Sequence, residues 1–189
     1  LHVAQSAPEV AAVRARGHAG ALGCLRAAGL TGPDVIAAHC IHLDESEIEG
    51  WCADGTAIAH CPASNLKIEA RTIALHRFLG RVPVGLGTDW TASDNSADLF
   101  WEARLAALVG KMRADDPEAL PVRAMLRLLT IEGARVLGLD HLIGSVEVGK
   151  RADLVVLDRD RLEMAPAHDP AANVIYSASP RSVRDVLVE

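Results

Sequence analysis

Four short apolar runs, each closed by a polar residue, constrain this chain more than any other feature. Leu1–Ala4, Val35–His39, Thr56–His60 and Val82–Thr88 are continuous rather than alternating in character. Runs of that kind belong to strands covered on both faces, as in a parallel sheet. The run ends at residues 39, 60 and 89 lie 21 and 29 positions apart, which suits repeated strand–helix units. Helical patterns fill the gaps. Ser6-Ala7-Pro8-Glu9 reads as a capping box opening a helix to about Ala28, with Gly29–Pro33 as the turn that ends it. An acidic helix start follows at Asp44–Glu47, and Leu75–Leu79 looks helical. Asp98–Lys111 and Val122–Leu137 carry apolar residues at helical spacing. From Gly144 the pattern alternates and then runs apolar to Leu157, so residues 141–189 are expected to form a separate β-rich segment.

Half of the residues are hydrophobic and 23% are charged, which is globular rather than disordered composition. The formal net charge of −6 argues against nucleic acid or an anionic membrane as partner. No apolar run approaches the ~20 residues of a membrane helix. Cys24, Cys40, Cys52 and Cys61 form no CxxC pair, and Cys40 and Cys61 sit in apolar segments, so they read as reduced, buried thiols. No signal sequence is visible, and a cytoplasmic location is expected. The chain opens on Leu1 in a strand pattern and closes on Asp185–Glu189 in another, so it reads as an internal part of a longer protein.

The polar run ends are where chemistry is expected. They are His2 with Gln5, then His39, His60 and Asp89. Side chains at the C-terminal ends of parallel strands converge at the mouth of a β/α barrel. Imidazole and carboxylate together suit zinc, and acceptably iron. A histidine on an apolar strand is ordinarily a satisfied core residue, and Asp89 has an alternative as a helix N-cap. Four such residues in successive units favour a shared site. Cys40, Cys52 and Cys61 lack the tight spacing of a structural zinc knuckle, and Gly85-Leu86-Gly87 lacks the third glycine of a dinucleotide fingerprint. Trp51, Trp90 and Trp101 read as core or rim packing, with Trp90 placed to line a pocket beside Asp89; Lys67 and Arg71 read as solvated. His42, His76, His141 and His168 show no partner pattern.

Several motifs together resemble the amidohydrolase superfamily, in the branch of the methylthioadenosine/S-adenosylhomocysteine deaminases and atrazine chlorohydrolase-type enzymes. They are Leu-His2-Val-Ala-Gln5, Ala-His39-Cys-Ile-His-Leu-Asp-Glu, Ile-Ala-His60-Cys-Pro-Ala-Ser-Asn65-Leu-Lys67 and Gly-Leu-Gly-Thr-Asp89. Asp89–Phe100, Gly144–Leu157 and His168-Asp-Pro170 extend the likeness. The resemblance implies an α/β fold: strands five to eight of a (β/α)8 TIM-like barrel over residues 1–140, then part of a composite β-sandwich over 141–189. It implies one divalent ion, zinc before iron, with His2 and Asp89 as metal ligands. Asp89 and His39 are the implied catalytic pair, and Gln5, His60, Asn65 and Trp90 the implied substrate contacts. The implied reaction is attack of metal-activated water on a heteroaromatic ring carbon, deaminating purine-, pterin- or triazine-like compounds. Hydrolysis of a cyclic amide or chloro-heterocycle is the alternative, as is an inactive piece. A small heterocycle is the implied partner, with homo-oligomerisation of the full-length parent. Two departures stand out. The family's upstream His-x-His pair is not in this sequence, and Gln5 stands where the family places a proton-shuttling Glu. Glutamine cannot act as an acid, and a positioned acid is worth about 10²–10⁴ in rate.

Overall fold

The computed structural model describes residues 1–189. The four runs form strands β1 (His2–Val3), β2 (Ile36–His39), β3 (Ala57–His60) and β4 (Val84–Leu86). They make one wholly parallel sheet in the order β1-β2-β3-β4, with Val3 opposite His39, Ala38 opposite Ala59 and His60 opposite Leu86. Chain order and spatial order coincide, so the sheet has no reversal point of the doubly wound kind. The observed strands are shorter than the apolar runs, although flanking residues such as Leu1, Val35 and Pro83 still accept hydrogen bonds from the neighbouring strand.

Between β1 and β2 lie α1 (Ala7–Ala15) and α2 (Ala21–Ala27). The capping box at Ser6 forms as read: Ser6 Oγ accepts from the Glu9 amide at 3.3 Å, and the Glu9 carboxylate accepts from the Ala4, Gln5 and Ser6 amides. The single helix expected to reach Ala28 is broken in two. Gly17 takes φ +90°, and Gly20 passes so close to Glu47 that a Cβ there would sit 2.4 Å from Glu47 Oε1. That same oxygen accepts from Leu22 N–H at 3.0 Å, so a buried carboxylate from the next unit restarts the helix.

Helix α3 (Glu45–Asp54) joins β2 to β3, capped reciprocally by Asp44 and Glu47 and ended by Gly55 at φ +71°. It brings fully buried Trp51 against the sheet. After β3 comes α4 (Pro62–Glu69), then a single 3-10 turn (Leu75–Arg77) where a longer helix was expected. Helices α5 (Thr91–Asp94), α6 (Leu99–Ala114), α7 (Val122–Leu128) and α8 (Ile131–Val136) follow β4. The expected helix over 122–137 is split at Leu129-Thr130. The split lets α8 lie across β4, where Gly133 Cα would be 3.1 Å from a Cβ on Gly85. Strand residues Val3, Ala37, Ile58 and Val84 form one apolar core with Val10, Leu22, Ile48, Ala103 and Met125 from the helices and Phe78 from the turn after Arg77.

The segment after residue 141 is less β-rich than its pattern suggests. The alternating residues around Val146 and Val148 form exposed turns. Only β5 (Leu154–Leu157) and β6 (Val183–Leu187) pair, antiparallel. Between them α9 (Pro170–Tyr176) returns to pack on α6 and α7, and Arg104 donates to the Ala178 carbonyl at 2.8 Å. No helix is long and apolar enough to cross a membrane.

Candidate metal centre

The C-terminal ends of the strands turn sharply, and several do so without glycine. Ala4, His39, Cys40 and Asp89 have φ of +47°, +75°, +53° and +60°, a region that residues with a Cβ seldom enter. Such strain collects where a site over-determines the backbone. At Ala4 the Glu9 carboxylate fixes the turn through the Ala4 and Gln5 amides, at 2.8 and 2.9 Å.

These turns bring His2, His39 and Asp89 together, although 87 positions separate the first from the last. Their donor atoms all lie within 4.8 Å of one another, and the His2 and His39 rings meet edge-on at 4.9 Å. His2 is exposed, His39 fully buried and Asp89 half-buried. Two donors bound to one zinc at ~2.1 Å sit at most about 4.2 Å apart, so the cluster is slightly more open than a closed coordination shell.

His39 and Asp89 are each oriented by a neighbour on α4. Asn65 Oδ1 accepts from His39 Nδ1 at 2.8 Å, because the amide oxygen can only accept. The proton is thereby held on Nδ1, and buried Nε2 is left without a hydrogen-bond partner. Ser64 Oγ donates to Asp89 Oδ2 at 2.6 Å, and Ser93 Oγ donates to the same oxygen at 3.3 Å, leaving Oδ1 clear of side-chain donors. Burial would push the Asp89 carboxyl up. The hydroxyls of Ser64 and Ser93, the Trp90 amide and nearby His39 outweigh it and hold Asp89 below the usual carboxylate range. Two imidazoles and an ionised carboxylate, with one buried nitrogen lacking any partner, fit a borderline divalent ion.

The other expected residues lie around this trio. Gln5 follows β1, half-buried, and its side chain forms no hydrogen bond. His60 is buried, with Nε2 3.4 Å from Thr72 Oγ1 and Nδ1 unpaired. Burial, with His39 nearby, pushes His60 down to about 3, so it is neutral near pH 7. Asn65, expected beside substrate, spends its oxygen on His39 and keeps Nδ2 unpaired. Trp90 is 76% exposed directly after Asp89. Trp51 is core, while Lys67 is tied to the Ala92 carbonyl and Asn95. All four cysteines are free; burial pushes the Cys61 thiol up to about 12, so it stays protonated and inert.

Sequence reasoning passed over Ser64, Ser93, Glu102 and the His42–Glu69 pair at 3.3 Å. Ser64 had a usable signal. Pro62, one residue beyond the His60 run, marks the first turn of a helix, and that turn carries Ser64 and Asn65 to the strand ends. Glu102 had none, since its partner lies 39 residues earlier.

Comparison with known proteins extends the picture over the whole chain. The chain is 37% identical, over its full length, to a 5-methylthioadenosine/S-adenosylhomocysteine deaminase of Desulforudis audaxviator, covering 44% of that protein. It is 36% identical to a 5'-deoxyadenosine deaminase of Methanosarcina mazei, again covering 44% of it. The chain thus spans less than half the length of these relatives. A zinc-bound adenosine deaminase crystal structure from Xanthomonas campestris superposes on all of the chain with TM-score 0.95 and 40% identity, using 43% of that protein. A zinc-complexed atrazine chlorohydrolase from Arthrobacter aurescens TC1 matches 99% of the chain with TM-score 0.88 and 28% identity, using 42% of its own length. The profile of the amidohydrolase family matches residues 1–189, and the chain belongs to that family.

Proposed function

We propose that this chain carries one half of the active site of a metal-dependent aminohydrolase acting on a purine-like heterocycle, with adenine nucleosides as the first candidates. The observation that carries the reading is the convergence of His2, His39 and Asp89 from β1, β2 and the end of β4. In this reading the sheet supplies strands five to eight of a (β/α)8 barrel within residues 1–140, and residues 141–189 supply part of a composite β-sandwich. The unreversed parallel order and the deaminase relatives support it.

His2 and Asp89 would hold a divalent ion, zinc first, and the zinc bound in two structural neighbours supports that choice. Such an ion acidifies water and so makes a nucleophile available at neutral pH. Asp89, ionised and fixed through Oδ2, takes the proton released when water attacks the ring carbon. His39, its Nδ1 proton held by Asn65, presents the Nε2 lone pair to the cluster, where it would accept a hydrogen bond from the attacking water and orient it. His60 is neutral and contributes hydrogen bonding rather than acid catalysis. Trp90 offers an exposed aromatic face to a heterocycle. Gln5 favours a second reading, displacement of a leaving group that needs no protonation, such as a halide.

The test is ammonia release by the complete gene product from adenosine, 5'-methylthioadenosine, S-adenosylhomocysteine and guanine, before and after chelation and zinc restoration. Zinc-dependent release that Asp89→Asn abolishes is the expected result. Zinc-independent release, or full activity in Asp89→Asn, would refute the assignment.

A further inference from the structure

Two of the contacts that orient the candidate site come from a single turn of helix. The first turn of α4 presents Ser64 to Asp89 Oδ2 at 2.6 Å and Asn65 to His39 Nδ1 at 2.8 Å. The rotation of that turn therefore sets two of the three cluster residues at once. Its own N-cap, Cys61, provides no side-chain hydrogen bond. The acceptor arrives from α6 instead: Glu102 Oε2 takes the Ala63 N–H at 2.9 Å. Glu102 is 0% exposed, and its second oxygen, Oε1, has no partner. A carboxyl half-satisfied in the core is costlier than a leucine of similar size, so packing alone gives no reason for it.

We propose that Glu102 is a positioning residue for this site, acting through the Ala63 amide to set the first turn of α4 and thereby the placement of Ser64 on Asp89 and Asn65 on His39. Glu102 touches neither metal nor substrate. The inference rests on the proposed metal-dependent reaction. Its chain of contacts runs from α6 to α4 to the ends of β2 and β4, with no gap longer than a hydrogen bond. Were Glu102 only a helix cap, its loss would lower stability and leave the geometry at the ion untouched.

The experiment compares Glu102→Leu, Glu102→Gln and wild type in the complete gene product, loaded with zinc for kinetics and cobalt for its visible ligand-field spectrum. Leu removes the acceptor and Gln retains a carbonyl oxygen for Ala63. Glu102→Leu should lower kcat about tenfold or more, with KM within about threefold, and should alter the cobalt spectrum. Glu102→Gln should restore kcat to within about threefold of wild type and restore the spectrum. If Glu102→Leu does not fold, Glu102→Asp replaces it, withdrawing the carboxyl by one methylene; its kcat should fall at least about threefold. Wild-type kinetics and spectrum in Glu102→Leu, or in Glu102→Asp where that variant replaces it, overturn the proposal. So does a Gln variant as impaired as Leu. Wild type that takes up neither metal overturns the proposed function and this inference together; metal-loaded, active wild type beside an unaffected Glu102→Leu overturns this inference alone.

Discussion

Replacing Asn65 by alanine removes the only partner of His39 Nδ1. The bond is 2.8 Å long and the imidazole is fully buried, so no bulk water replaces the lost acceptor. An unsatisfied buried donor costs about 1–3 kcal/mol. The ring escapes that cost by moving its proton to Nε2, toward the Asp89 carboxylate. The lone pair that Nε2 offers to the cluster is then gone. Loss of an orienting partner of this kind typically costs about 10–100-fold in metal affinity or activity, equivalent to about 1.4–2.7 kcal/mol. Asn65→Ala should therefore lower kcat/KM or zinc affinity by that factor. Asn65→Asp keeps an acceptor at the same reach and should lose less than about threefold. Steady-state kinetics and competition for zinc against a chromophoric chelator measure both quantities. If Asn65→Ala leaves both within about twofold of wild type while folding normally, the tautomer argument is wrong.

Gln5→Glu should raise kcat on aminopurines about tenfold or more if glutamine handicaps deamination, out of the ~10²–10⁴ available to an acid; on halogenated heterocycles the rate should stay flat or fall, and no change on any substrate with metal retained would remove Gln5 from the reacting centre. Gly85→Ala drives a Cβ to 3.1 Å from the Gly133 backbone, so it should cost about 1–3 kcal/mol in denaturant unfolding, whereas a neutral result would mean that α8 moves freely on β4. Asp44 caps α3 and is held below the usual carboxylate range by the Glu47 amide and Ser46 hydroxyl. Its contribution is present in full above the unfolded carboxylate value near ~4 and is lost as pH falls through the lower folded value; Asp44→Ala should cost about 1 kcal/mol at pH 7 and less in acid, and an equal cost at both pH values would deny the cap its charge.

The strands and the convergence of His2, His39 and Asp89 were legible because one local feature encodes each of them. A continuous apolar run marks a covered strand, and a polar residue at its end can reach only the mouth of the sheet. The breaks in the helices were hidden for the opposite reason. Nothing near Gly20 announces that Glu47, from the following unit, will occupy the space a side chain there would need, and nothing near Thr130 announces that α8 must turn to meet Gly85. Ser64, Ser93 and Glu102 share that difficulty. Each acts through a partner fixed by how two elements rotate against one another, and that rotation is a property of packing rather than of pattern. The Val146 and Val148 alternation failed differently: period two marks a strand only where a neighbouring strand stands ready to accept it.

The left-handed residues at Ala4, His39, Cys40 and Asp89 also bear on how the molecule breathes. Each holds a conformation worth of order 1 kcal/mol or more above its relaxed state, and all lie on one rim of the sheet. That rim is a loaded spring, latched by the Glu9 carboxylate on one side and by Ser64 and Asn65 on the other. Amide hydrogen exchange should register it as a gradient, with the core of β2 and β3 protected to near-global opening energies and the amides after each strand end exchanging through small local openings. An ion bridging the strands would draw that latch tight, so metal should slow exchange at the rim far more than in the core from which the strands emerge.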